Sequence, residues 1–437
     1  MLNFIALFNH LVYFSEGNMK KLPASLLILF LMNFTYAQNE KTVWDFDGQI
    51  QLRSELDGRD FSNKTYPLVF TSLRTRLGLK ANISDKITFY AQMQDSRIFG
   101  EEPSPTTSIK NLDLYQGYVK LIDPFDLPIS IQAGRFVMTY GTERFFGSGS
   151  WNYTGRSYDG VIFNFGRSIK TSLFAVTIYN GVPYITTASP SNYSYPAVSD
   201  TSLNLYGVWS TAKIDERNLL DLFAYYEINR KKSNGQNNDL SEASFGFNHN
   251  GTYGRFSSLT EAAYQTGEKA GIDVSAYLIS IQWFYKISRI KLGLGADIIS
   301  GTDPLSTSKF RTFVIDYTNG HKFYGYMDYF FKTQSRVDYL GLNDYYVTTY
   351  YTPEGSDFNF GINIHTLGTD KRSVAGGSDL GREVDATIGY NFVKGTTITW
   401  GGSVFLPGEL MKYYFKTGTD ERKDIGYWSY LMITANF

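Results

Sequence analysis

The chain has 437 residues, none of them cysteine, with 43% hydrophobic and 17% aromatic residues and a formal charge of -1 at pH 7. This excludes disulfides, thiolate nucleophiles, Cys-ligated metals and a lipidated cysteine, and it lacks the basic excess of a nucleic-acid binder. With 34 Tyr, 33 Phe and 40 Gly against 6 Trp, the composition points to β structure.

The first element is an address. Met19-Lys20-Lys21 supplies a basic start, Leu22 to Phe34 an apolar core, and Thr35-Tyr36-Ala37 a small-residue cleavage site before Gln38. Residues 1–37 are expected to be leader and signal peptide, and 38–437 the mature domain. Residues 1–18 are either sequence upstream of the true start codon or a longer natural leader. No later stretch approaches the roughly 20 apolar residues of a spanning helix, so a mature chain that enters a membrane must close as a barrel.

From Trp44 onward the period is two. Trp44, Phe46, Gly48, Ile50, Leu52 and Leu56 alternate with Asp45, Asp47, Gln49, Gln51, Arg53 and Glu55, which describes a strand with one greasy and one wet face. The same alternation sets Leu73, Leu77, Leu79 and Ala81 against Arg74, Arg76, Gly78 and Lys80. Eighteen such strands are predicted, near 44–56, 70–81, 87–99, 111–122, 129–140, 158–166, 169–178, 203–211, 218–230, 241–249, 256–265, 273–285, 290–301, 337–351, 358–366, 382–392, 396–405 and 427–437. Many exceed the 5–6 residues or so common in soluble sheets. Tight turns alternate with mostly longer connections (57–69, 100–110, 141–157, 179–202, 231–240, 266–272, 302–336, 367–381 and 406–426), as in a barrel with short periplasmic turns and long extracellular loops. The fold class is therefore all-β, a transmembrane antiparallel barrel of about 18 strands, without helices. Its last strand ends on Phe437, like the terminal aromatic of outer-membrane barrels.

Eighteen strands predict a water-filled lumen whose charges set selectivity. Parity places Arg53, Arg74, Arg76, Lys80, Lys120 and Lys291 on the inner face, with Glu55, Asp297, Glu383 and Asp385. These charges either line the pathway or pair with one another to stiffen the wall. Strict parity turns Arg97 and Arg135 toward lipid; a β-bulge near Asp95 or Gly134 would turn them inward, and that is the expectation here. The connection 141–157 carries Glu143, Arg144, Trp151, Tyr153 and Arg156 among five glycines at 141, 147, 149, 155 and 160. Guanidinium for carboxylate and ring face for pyranose would suit a constriction that grips a sugar acid. The alternative is an external loop on the rim, with Arg144 bridged to Glu143 or Asp159.

Several segments resemble the alginate export family of outer-membrane proteins. They are Arg74-Thr-Arg-Leu-Gly-Leu-Lys-Ala81, the run Gln92 to Gly100, Tyr115 to Leu121, Ala133-Gly-Arg-Phe onward through Gly155-Arg-Ser-Tyr-Asp-Gly-Val161, and His321 to Phe330. The resemblance implies an 18-stranded monomeric pore that passes an anionic polyuronate outward through an arginine-lined constriction, with Arg74, Arg76, Arg97, Arg135, Arg144 and Arg156 as the pathway and Glu143, Trp151 and Tyr153 in the constriction loop. Implied partners are an anionic polysaccharide or small anionic solutes, outer-membrane lipids and periplasmic export proteins; no nucleic acid, cofactor or metal is implied. A general or anion-selective diffusion porin is the competing reading. An enzyme on a barrel is disfavoured, because His249, His321 and His365 fall on distant strands and no catalytic constellation accompanies them.

Overall fold

Strands that alternate over ten or more residues leave a bare edge unless the sheet closes on itself. The computed structural model describes residues 42–104, 106–107, 111–180, 201–233, 236–237, 239–306, 308–331 and 337–437. The leader expected at 1–37, and most of the connection 179–202, lie outside the described residues. Among those described, eighteen long antiparallel strands form a closed barrel. They are β1 (Val43–Gly58), β2 (Leu68–Ser84), β3 (Ile87–Ile98), β4 (Leu112–Ile122), β5 (Ile129–Phe136) and β6 (Tyr158–Phe165). Next come β7 (Ile169–Tyr179), β8 (Leu203–Lys213), β9 (Asn218–Asn229), β10 (Leu240–Tyr253), β11 (Phe256–Lys269) and β12 (Ile272–Ile287). The last six are β13 (Ile290–Ile299), β14 (Leu342–Tyr351), β15 (Phe358–Gly368), β16 (Asp379–Val393), β17 (Thr396–Pro407) and β18 (Gly426–Asn436). Each strand pairs with its chain neighbours, and β1 pairs with β18 from Gln49↔Asn436 to Gly58↔Tyr427, which closes the ring. Phe437 extends that seam: its carbonyl accepts from Gly48 N–H at 2.8 Å and its own N–H donates to the Gly48 carbonyl at 3.0 Å.

All eighteen predicted strands are present, with four differences. The fifth stops at Phe136 rather than 140, because the chain leaves the wall there and buries Met138, Phe145 and Phe146 in the lumen. The fourteenth begins at Leu342 rather than 337. The connection expected at 266–272 shrinks to Ala270-Gly271, both at positive φ, because β11 and β12 run on to meet at Lys269↔Ile272. A short helix, α1 (Glu409–Phe415), which alternation could not reveal, buries Leu410 and Met411.

The barrel interior is not empty. The connection 137–157 and the described parts of 300–341 fold inward and share an apolar core with inner-face residues of the wall. Phe146 packs edge-on to Phe174 at 5.3 Å and to Tyr225 at 5.1 Å, and lies parallel to Tyr317 at 6.0 Å. Phe61, from the first connection, stacks on Tyr329 at 5.2 Å, with Phe405 and Phe415 around it. Each buried aromatic of this kind contributes about 2–3 kcal/mol by leaving water. The two connections therefore narrow the lumen. A vestibule of about 540 Å³, lined by Lys80, Thr88, Tyr118, Lys120 and Gln132, opens at the tight-turn end.

Candidate functional site

Strand register brings three arginines together. Arg53 of β1 and Arg74 and Arg76 of β2 lie on the inner face and are buried there. Their donors reach across to the connection 147–156. Arg53 Nη1 donates to the Trp151 carbonyl at 2.6 Å, and Arg74 Nη1 to the carbonyls of Ser150 at 3.0 Å and Asn152 at 2.8 Å. Arg76 Nη2 reaches the Thr154 carbonyl at 3.3 Å while its guanidinium lies 3.6 Å above the Tyr115 ring centroid. The close approach needs Gly155: a Cβ there would stand 2.4 Å from Arg76 Nη2, and the residue holds φ +70°. Arg156 caps the same turn from within, donating to the Gly147 and Thr318 carbonyls at 3.0 Å each and to the Tyr317 carbonyl.

The partners of these guanidiniums are mostly neutral. Arg53 has Glu55 at 2.7 Å. Arg74 and Arg76 instead bond the Gln49 and Gln94 amide oxygens besides the carbonyls, and Arg156 bonds carbonyls alone. Among the described residues Arg74, Arg76 and Arg156 form no ion pair. The turn 147–156 therefore sits among three guanidiniums, Arg74, Arg76 and Arg156, that no carboxylate of the described residues pairs with, while Arg53 beside them is paired with Glu55.

Arg144 has the opposite surroundings. Its side chain is 0% exposed, with Nε 2.7 Å from Glu261 Oε2 and its two terminal nitrogens each 3.2 Å from the Asp297 carboxylate. Ser280 and the Tyr324 hydroxyl complete the shell at 2.9 and 2.7 Å. Burial alone favours the neutral form, but the charges of Asp297 and Glu261 and the Tyr324 hydroxyl outweigh it and hold the group well above its ordinary value, so the guanidinium stays charged. The partners of Arg144 are wall carboxylates, not Glu143 or Asp159. Glu143 bonds Lys322, Asn319 at 2.9 Å and the Ser148 N–H at 3.4 Å. Burial raises its pKa, yet the Lys322 ammonium and these donors overcome burial and hold the carboxyl below its ordinary range.

Trp151 is sandwiched. The Arg53 guanidinium lies 3.9 Å from its ring centroid and the His321 imidazole stacks at 3.5 Å and 5° on it. Tyr153 is exposed, and its carbonyl accepts from Ser96 Oγ at 2.7 Å. Arg97 and Arg135 are not turned inward. Register opposes Arg97 to outward Leu73, and sets Arg135 opposite Asp159 on the outer face. The nearest bulge falls one strand away, at Tyr115 of β4, and reorients that residue instead. Each outward arginine is neutralised locally, Arg97 by Asp95 at 2.5 Å and Arg135 by Asp159 at 2.7 Å, which removes the need for a bulge.

Across the lumen the inner face of β9 to β16 carries buried carboxylates: Glu227, Glu242, Glu261, Asp297, Asp344, Glu383 and Asp385. Asp344 meets His365 Nδ1 at 2.9 Å, and Glu383 accepts the Met327 N–H at 2.7 Å. Four of them, Glu227, Glu242, Glu261 and Asp344, escaped the sequence reading, although parity alone would have found them. No group of His, Asp or Glu among the described residues is arranged to hold a metal ion.

Residues 44–333 match the model of a family described as alginate export. No curated protein matches in sequence. Among solved structures, Acinetobacter baumannii OccAB4 is similar with a TM-score of 0.57 at 14% identity, covering 90% of this chain and 98% of that one. Pseudomonas aeruginosa OccK8 (OprE) gives 0.57 at 12% identity with the same coverage, and Pseudomonas aeruginosa OpdK with vanillate gives 0.55 at 10%, also covering 90% and 98%. At these identities the likeness is one of fold, a barrel shared over nearly the whole length of each.

Proposed function

The chain belongs to the alginate export family, and from that premise we propose that it is an outer-membrane channel of a Gram-negative bacterium that passes an acidic saccharide, an alginate-like polyuronate, by diffusion. One observation carries the reading. Arg74, Arg76 and Arg156 converge on one turn of the constriction without a carboxylate partner among the described residues. Their field is positive although the chain as a whole carries a formal charge of only -1. In a narrow lumen such a field concentrates anions and offers paired N–H donors to a carboxylate that displaces a carbonyl. Lys120 extends the cationic strip into the vestibule, where Lys80 stands 3.9 Å from Asp45. Arg144, fully buried, acts as an anchor of the constriction loop, and the outward Arg97 and Arg135 belong to the rim. The signal expected at 1–37 would deliver the chain for export, and the closed ring needs no second copy.

A second reading has its own support. A barrel of the same fold was crystallised with vanillate, an aromatic carboxylate, and the unpaired guanidiniums would serve a small acid equally. Planar-bilayer recording of the purified chain separates the two. We expect anion-selective reversal potentials and block by tetramannuronate, with Arg74→Ala and Arg76→Ala together shifting the reversal potential toward cations. Each guanidinium lost should weaken block by about tenfold, the worth of one charge-assisted hydrogen bond. Cation selectivity in the unaltered protein would sink both readings, and block by vanillate alone would select the small acid.

A further inference from the structure

On the wall opposite the arginines, beneath the segment 322–326, lies a cavity of about 80 Å³ that the pathway described above does not use. Its wall comes from β12 to β15 and includes Phe284, Thr348, Tyr350, Asn363 and His365. Phe284 and Tyr350 stand toward the tight-turn ends of their strands, and Tyr350 is 39% exposed, so the cavity gives onto the turn-ward lumen. The aromatic wall is flat for a reason visible in the register. Tyr346 faces Gly295, Phe284 faces Gly293 and Tyr350 faces Gly361, so each ring lies against bare backbone. A Cβ at Gly295 would stand 2.2 Å from Tyr346 Cζ, and one at Gly293 2.7 Å from Phe284 Cδ1.

Two polar atoms of the lining lack a partner within the protein. Asn363 Oδ1 and Thr348 Oγ1 are buried and have no hydrogen-bond partner, although both residues are at least nine-tenths buried. Buried polar atoms left unpaired in a native wall call for a partner from elsewhere. Lys322 cannot serve, being committed to Glu143. Asp297, already on Arg144, also lines the space and makes its floor hostile to a carboxylate. At the mouth the balance changes: Lys291 Nζ rests 3.8 Å from the Phe284 ring centroid and forms no ion pair among the described residues.

We infer that this cavity is a pyranose subsite, in which a sugar ring lies on Tyr350, its hydroxyls donate to Asn363 and Thr348, and an acidic substituent turns outward to Lys291. The volume accepts the edge of one ring, equal to two or three waters, with the rest of the ring in the lumen. The inference deepens the saccharide reading and rests on it. It also divides the labour between the walls, charge on one side and ring recognition on the other.

Current block of the full chain in planar bilayers tests it with two probes, cellotetraose and tetramannuronate. Tyr350→Ala is expected to weaken block by both about tenfold, the stacking contribution of one ring. Tyr350→Phe should retain it, and Lys291→Gln should weaken tetramannuronate alone. Heat-dependent gel mobility reports that each variant folds; should Tyr350→Ala fail to fold, Asn363→Ala makes the same test. If Tyr350→Ala and Asn363→Ala leave both probes unchanged while the Arg74 and Arg76 variants weaken tetramannuronate, the subsite is overturned and the channel reading stands. If cellotetraose blocks in a Tyr350-dependent way and tetramannuronate does not block, the subsite stands and the acidic-substrate reading falls. No block of the unaltered protein by either probe overturns both.

Discussion

The two inner walls of this barrel treat buried charge in opposite ways. On β2 the guanidiniums of Arg74 and Arg76 spend their donors on amide and carbonyl oxygens and keep their charge uncancelled. On β11 to β15 the carboxylates of Glu261, Asp297 and Asp344 are met by one arginine and one histidine at hydrogen-bond distance. The first arrangement leaves a field for a mobile anion; the second locks a loop to the wall. A near-zero net charge therefore conceals a segregated lumen, and what matters is the partner of each charge rather than the count.

The largest test of this contrast is Arg144→Met. It strands Glu261 and Asp297 without their counter-charge, and the expected loss is about 3–5 kcal/mol. Unfolding in detergent should move to lower urea, and single-channel conductance should rise as the connection 137–157 detaches. Adding Glu261→Gln and Asp297→Asn should recover much of the stability. A single variant that unfolds like the parent would show that the acidic wall does not depend on the latch.

Trp151→Ala removes the ring between Arg53 and His321, where cation–π attraction and stacking together contribute about 1–2 kcal/mol. Trp151→Phe should keep part of it. Both are read as the change in urea midpoint, and equal losses for the two variants would mean that the stack does not fasten the arginine wall to the second loop.

Acidification sharpens the comparison further. The Glu143 carboxyl titrates below its ordinary value of 4.5, so its stabilisation is complete above that value. It is lost as pH falls through the depressed pKa of the folded protein. Open-channel noise should increase as pH falls through that range, and Glu143→Gln should show the noisier trace already at neutral pH. A parent trace that stays quiet throughout would remove Glu143 from the set of loop anchors.

The smallest effect is expected outside the lumen. Asp159→Asn leaves Arg135 uncompensated on the outer face near the loop end of its strand, where a charge costs at most about 1 kcal/mol. A loss of several kcal/mol in urea unfolding would place that pair deeper in the bilayer than its register suggests.

How much of this was legible beforehand follows from range. Alternation is a local property: once Arg53, Arg74 and Arg76 follow greasy neighbours with period two, their face is decided by strand geometry. The same rule predicted eighteen strands and the direction of Arg97 and Arg135, and it misled only when a bulge was invoked to spare those two a cost that Asp95 and Asp159 already remove. The partners of the loops were not legible. Arg144 meets Glu261 and Asp297 across 117 and 153 residues of chain, and Arg156 meets Tyr317 across 161. No spacing in the chain encodes those distances, because glycine-rich connections take their path from the surfaces that receive them. The sequence by itself determined the barrel and the face of nearly every charge. Only the tertiary structure decided which charges remain free, because that depends on where two inward-folding loops come to rest.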